Sequence, residues 1–203
     1  MRKLYILGVI VGIISFNSCV DHTIIPPPLP LVELECECQA YVNDSLVKYQ
    51  GLCAYSSTKE IVALGPSRAQ YKTKVSSDDL PGGLELEIRS MTWVDNGTNN
   101  PDLDDWKAFL IDNPTPGYSG GIEHDGVVIR WTDPNGKVWV SDTTNDACIQ
   151  TFIFNKMVQE SDTTGKYMNY EASFDCKLVN SDYGTDSVKC VTGGTIYSSF
   201  KLE

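Results

Sequence analysis

The sequence predicts an all-β fold: an antiparallel two-sheet β-sandwich, immunoglobulin-like or jelly-roll-like, with about nine to eleven strands. Short runs of alternating apolar and polar residues recur from Glu33 onward, and turn signals separate them. This pattern is typical of sandwiches and barrels. Ten tyrosines and four tryptophans, with few long apolar helical patterns, also favour β-structure.

The N-terminus has the organisation of a lipoprotein signal peptide, which we assign to residues 1–18. Basic Arg2 and Lys3 precede an apolar run of 13 residues, and Ser18 stands directly before Cys19. A bilayer span needs about 20 apolar residues, so this run is too short to cross one. We therefore predict cleavage before Cys19 and a lipid on its thiol. The alternative is an ordinary secretory signal, with Cys19 as a further structural cysteine.

Residues 19–32 form the predicted tether, and residues 33–203 the predicted single β-sandwich domain. Four of the five residues from Pro26 to Pro30 are proline, which favours an extended, semi-rigid spacer. The residue after the lipid-bearing cysteine is Val20 rather than aspartate, so no signal for retention at the inner membrane is evident. We expect the lipid to anchor the chain in the outer membrane, on its periplasmic face or at the cell surface.

The first half of the domain predicts strands at 34–42, 46–55, 68–75 and 84–94. A turn at 43–45 separates the first two. In the fourth strand, Leu84, Leu86 and Ile88 alternate with charged residues, so one face of that strand is wet. A polar loop follows at 95–101, and residues 106–111 fit either a strand or one helical turn.

The second half contains the clearest hairpin, 127–132 with 137–141 around Asp133-Pro134-Asn135-Gly136. Proline at the second turn position and glycine at the fourth suit a type I turn followed by a left-handed glycine. This register pairs Asp133 with Lys137 and places Trp131 opposite Trp139. Further strands are predicted at 149–158, 167–179, 187–191 and 196–202.

Six cysteines follow Cys19, and an even number in an exported protein predicts up to three disulfides. A thiolate metal site at Cys36-Glu37-Cys38 is the alternative, but the spacing lacks the two-residue gap of common zinc knuckles. Cys176 and Cys190 stand at mirrored positions around a turn, so we predict that these two residues are paired.

Composition argues against several functions. A formal net charge of −11 disfavours nucleic acid, whose binding requires basic patches. The domain has one histidine, His124, and no Gly-x-Ser-x-Gly motif, so no catalytic residue is assigned and a hydrolase is a second alternative. No cofactor is expected. Calcium is the one candidate metal, because four aspartates lie in and after one loop, although ordinary loop chemistry explains them equally well: Asp95, Asp102, Asp104 and Asp105.

Carbohydrate binding is the first functional alternative. Trp131 and Trp139 fit a core pair better than a ligand platform. The better candidates for a platform are the aromatic residues beside the polar loops: Trp93, Trp106 and Tyr118.

The C-terminal half also carries two degenerate motifs, Phe-x-Cys-x-Leu from Phe174 and Thr-x-Gly-x-Ile from Thr192. With the tryptophan hairpin, they resemble the small β-sandwich lipoproteins of unassigned function from Bacteroidota-type bacteria, over residues 35–202. The resemblance implies the fold and the envelope address, and it carries no catalytic residue. It also implies O-glycosylation at Asp-Ser/Thr triplets, with four acceptors: Ser45, Thr143, Thr163 and Ser187. We therefore expect a non-catalytic binding or structural protein, whose partner is a glycan or another envelope protein.

Overall fold

The computed structural model describes residues 31–34, 36–121, 124–144, 148–180 and 187–202. The compact unit that contains the described residues begins at Leu31. The predicted signal peptide and Cys19 lie outside the described residues.

The described residues contain ten strands and one short helical segment, so the predicted all-β class and strand number are confirmed. A helix, α1 (Leu103–Trp106), continues into a π-helical turn (Lys107–Ile111). The strands are β1 (Glu37–Val42), β2 (Ser45–Gln50), β3 (Leu52–Glu60), β4 (Pro66–Ser76), β5 (Gly83–Val94), β6 (Gly126–Thr132), β7 (Val138–Ser141), β8 (Thr151–Asp162), β9 (Gly165–Asn180) and β10 (Ser187–Lys201).

The strands form one antiparallel sheet that folds into a sandwich. Its order is β2-β1-β10-β9-β7-β6-β5-β4-β3, and β8 pairs with the first part of β9. Contacts between distant parts of this order show the folding. The indole of Trp131 on β6 donates to the hydroxyl of Tyr49 on β2 at 3.1 Å, and Thr73 on β4 donates to the carbonyl of Ser199 on β10. Layer one is therefore β2-β1-β10-β9-β8, and layer two is β7-β6-β5-β4-β3.

Gly51 divides what the sequence predicted as one strand at 46–55. Its φ of +104° lies in a region that favours glycine. Residues before it form β2, at one end of the strand order, and residues after it form β3, at the other end. The chain therefore changes layer at Gly51, and a disulfide between Cys36 and Cys53 joins the layers beside this crossing.

The tryptophan hairpin is confirmed. β6 pairs with β7, and Trp131 lies opposite Trp139. The Asp133 backbone N–H donates to the carbonyl of Lys137 at 2.9 Å, and Gly136 has a φ of +80°. Both indoles are buried, so they belong to the core as expected.

The predicted Cys176–Cys190 disulfide is wrong, because the register of β9 and β10 is one residue away from the mirrored one. Cys176 lies opposite Val191, and Cys190 lies opposite Lys177. A shift of one residue places the two thiols on opposite faces of the sheet. Cys190 instead bonds to Cys148, with the Cα atoms 5.5 Å apart. Cys176 and Cys38 are buried free thiols, and burial raises the pKa of each to about 12.

The two short strands predicted at 187–191 and 196–202 are one strand, β10. The register shifts between Val191 and Gly194, where Gly193 has a φ of +59°. A Cβ atom at Gly194 would lie 2.5 Å from the ring of Phe174, so only glycine fits there. The glycines therefore form an irregularity within one strand, where the sequence predicted an interval between two strands.

Candidate functional site

The tryptophans predicted as a ligand platform are core residues, so that prediction is wrong for both. Trp93 is 3% exposed and Trp106 is 1% exposed. Two rings pack against Trp106: the Tyr71 centroid lies at 4.4 Å and the Phe200 centroid at 6.3 Å. A ring that is 1% exposed offers no surface on which a flat ligand could stack.

Tyr118 is half-buried and is held by its hydroxyl. The hydroxyl lies 2.9 Å from the carbonyl oxygens of Thr151 and Asp175, which accept from it. Burial raises the pKa of Tyr118. The residue fixes the 113–121 loop against β8 and β9, and it presents little ring surface.

The aspartates of the calcium candidate have local roles. Asp102 is the N-cap of α1 and accepts from the backbone N–H groups of Asp104 and Asp105. The Asp105 carboxylate accepts from the Asp102 backbone in return, which completes a capping box. Asp95 accepts from the Asn99 backbone. Over the described parts of the chain, no group of three or more His, Cys, Asp or Glu side chains is placed to hold a metal ion.

The Ser119 hydroxyl, which bonds to the His124 backbone, is part of a turn. His124 is exposed, and Ser119 donates to the carbonyl oxygens of Gly121 and His124 at 2.8 Å each. This geometry is not that of a nucleophile beside its base. The four predicted O-glycosylation acceptors are all exposed, at the ends of strands or in turns: Ser45, Thr143, Thr163 and Ser187.

Two tyrosines that the sequence did not single out are the exposed aromatic residues of the described chain. Tyr41 on β1 is 48% exposed and Tyr197 on β10 is 38% exposed. Both lie on the outward side of layer one, since the alternate residues Cys38, Ala40 and Ile196 belong to the core. We call this outward side of β1, β10, β9 and β8 the tyrosine face.

Hydrogen bonds hold the side chains around Tyr197. The Tyr197 hydroxyl donates to Glu171 Oε1 at 3.2 Å, and Glu171 lies directly opposite it on β9. One level along, Ser199 Oγ donates to Asn169 Oδ1 at 2.6 Å, and Asn169 Nδ2 donates to Glu160 Oε2 at 2.6 Å. The ring, two carboxylates and an amide are thus fixed beside one another on three strands.

A groove of about 450 Å³ opens on this face, next to Tyr197. This volume lies within the range of about 300–1,000 Å³ that is typical of small-molecule sites. Glu33 and residues of β8, β9 and β10 line it. The backbone N–H of Val32 donates to Asp162 at 2.8 Å, so the chain enters the domain at this end. The lining includes three glutamates, Glu33, Glu160 and Glu171, against one lysine, Lys156.

The outward side of layer two is different, and we call it the ion-pair face: Lys72, Glu85, Glu87, Arg89 and Arg130. Glu87 is 1% exposed. It accepts from Arg89 Nε at 2.9 Å and from Arg130, and Lys72 Nζ lies 3.7 Å away. Although burial alone would raise the pKa of Glu87, the hydrogen bonds and charges of Arg130 and Arg89 lower it below its usual value.

Comparisons of the chain with protein-family models, with curated proteins and with solved structures found no match. The resemblance to Bacteroidota-type lipoproteins therefore remains a prediction. Among the described residues, no helix is long and apolar enough to cross a membrane.

Proposed function

We propose that this chain is an exported cell-envelope lipoprotein, held in the outer membrane by a lipid on Cys19, whose β-sandwich binds a ligand or partner without catalysis. The observation that supports export is the pair of disulfides, Cys36–Cys53 and Cys148–Cys190. Disulfides form and persist in oxidising compartments outside the cytosol. The signal-peptide pattern before Cys19 supports the same address.

Metabolic labelling with a radioactive fatty acid tests the anchor. In cells that express the full chain, we expect label in the protein and recovery of the protein in the outer-membrane fraction. The Cys19→Ala variant should lose the label and leave that fraction. The Ser18→Ala variant keeps a small residue before the cysteine and should stay labelled. A wild-type chain without label would contradict the proposal.

A carbohydrate-binding module is the second candidate for the activity of the domain. It is favoured by the tyrosine face, where exposed aromatic rings stand beside fixed hydrogen-bonding side chains. Ligand sites typically combine an aromatic surface with a small number of polar groups that point toward the ligand.

A further inference from the structure

We infer that the tyrosine face binds a neutral oligosaccharide, in the groove beside Tyr197 and extending along the sheet toward Tyr41. This inference rests on the proposed binding role of the domain, and it assigns that role a site and a ligand class.

The exposed rings supply the apolar part of such a site. A sugar ring has an apolar C–H face, and a tyrosine offers a flat apolar surface with a polar tip. The Tyr197 hydroxyl is already bonded to Glu171, so part of the entropy cost of fixing the ring is removed before a ligand binds. Tyr197 and Glu171 therefore form a preorganised binding surface.

The polar groups around the ring suit hydroxyl groups. Ionised carboxylates only accept hydrogen bonds, whereas an amide both donates and accepts. Glu171, Asn169 and Glu160 present both kinds of group within one groove, on adjacent strands. Sugar hydroxyls both donate and accept hydrogen bonds at closely spaced positions, so they can pair with both the carboxylates and the amide.

The charge of the groove excludes acidic sugars. Three glutamates against one lysine leave an excess of two negative charges. Uronates, sulfated sugars and phosphorylated sugars would meet like charges, which costs binding free energy. Glu171 and Glu160 already accept hydrogen bonds from neutral groups, and a neutral ligand leaves those bonds intact.

The second tyrosine gives the ligand a direction. Tyr197 lies opposite Glu37, and Tyr41 lies four residues further along β1. At about 3.3 Å per residue and about 4.8 Å between strands, the two Cα atoms are roughly 14 Å apart. The Tyr41 ring lies near Gly193 on β10, where an added Cβ would be 3.8 Å from Cδ2 of the ring. This spacing suits an extended oligosaccharide.

The test is a binding screen of the full chain, purified in detergent, against short neutral oligosaccharides, uronate-containing oligosaccharides, chitosan fragments and a basic peptide. We expect neutral oligosaccharides to bind and uronate-containing oligosaccharides to bind far more weakly, because of the like charges. Chitosan fragments and the basic peptide test whether the negative charge of the groove alone attracts a ligand, and we expect neither to bind more tightly than the neutral sugars. Tyr197→Ala should lower the affinity about tenfold or more, and Tyr41→Ala by a smaller factor. Tyr197→Phe keeps the ring and should stay within about threefold of the parent.

Leu64→Ala is the matched control, because Leu64 is a 99% exposed apolar residue in the β3–β4 connection. It should leave the affinity unchanged. Preferred binding of an acidic sugar, chitosan or the basic peptide would overturn the inference, as would no binding or binding that Tyr197→Ala leaves intact. A chain that carries its lipid but binds no neutral sugar would keep the proposed anchor and lose this inference.

Discussion

The outward sides of the two layers both carry glutamates, but the surroundings of these glutamates differ. On the ion-pair face, Glu87 is buried and Arg89, Arg130 and Lys72 surround its carboxylate. On the tyrosine face, the Glu171 carboxylate accepts from a neutral group, the Tyr197 hydroxyl, and a groove opens beside it. One face satisfies its charges internally, and the other leaves polar groups at the surface.

This difference separates stability from binding. A buried carboxylate among cations is costly to break, because its removal leaves uncompensated charge in a place with little water. An exposed ring and an exposed carboxylate contribute little to folding. Substitutions on the first face should therefore change the free energy of unfolding, and those on the second should change affinity.

The largest expected effect is on the ion-pair face. Glu87→Ala should lower the free energy of unfolding by about 3–5 kcal/mol, because Arg130 and Arg89 lose their shared partner. Glu85, whose side chain is 25% exposed, also pairs with Arg130, at 3.0 Å. Glu85→Ala is the matched control and should cost less than about 1 kcal/mol. Urea denaturation measures the free energy of unfolding of both variants. Equal losses in the two would contradict the claim that the buried carboxylate of Glu87 stabilises the fold more than the partly exposed one of Glu85.

Acid should weaken the same face. The pKa of Glu87 is lowered in the folded protein, so its stabilising contribution is fully present above the unfolded value of about 4.3 and is lost as the pH falls through the folded value. The difference in unfolding free energy between the parent and Glu87→Gln should therefore shrink below about pH 4.

Urea denaturation at a series of pH values from neutral to about pH 3 measures this difference. Asp162 also has a lowered pKa, about 2, from hydrogen bonds of Thr164 and Val32. It is present in both chains, so its contribution cancels in the difference. If the difference in unfolding free energy stays constant over this pH range, the folded protein does not lower the pKa of Glu87, and the prediction is contradicted.

The sequence predicted elements whose signals are local. The Asp133–Gly136 turn determines the β6–β7 register, and alternation in β5 identifies its outward side. The prediction that this side is wet is wrong at Glu87, because ion pairs with Arg89 and Arg130 leave that residue only 1% exposed. The sequence of residues 106–111 fits both a strand and a helical turn, because six residues are too few to show a period. The helix begins before them, at the capping box of Asp102 and Asp105.

Tertiary features were harder to predict. The mirrored cysteines gave a wrong disulfide because a one-residue shift of register reverses which side each thiol faces. Trp106 follows an acidic loop in sequence, yet the fold buries it against Tyr71 and Phe200. The exposed tyrosines had a usable signal, since Tyr41 alternates with Cys38-x-Ala40-x-Val42 and Tyr197 follows buried Ile196. Whether an outward residue borders a groove depends on neighbouring strands.

The most direct test of the contrast between the two faces is the free energy of unfolding of the Tyr41→Ala/Tyr197→Ala double variant. If both rings stand outside the core, this free energy should stay within about 1 kcal/mol of the parent. A loss of about 3 kcal/mol or more, as expected for truncating buried aromatic residues, would show that the rings are part of the packed structure and would contradict the account.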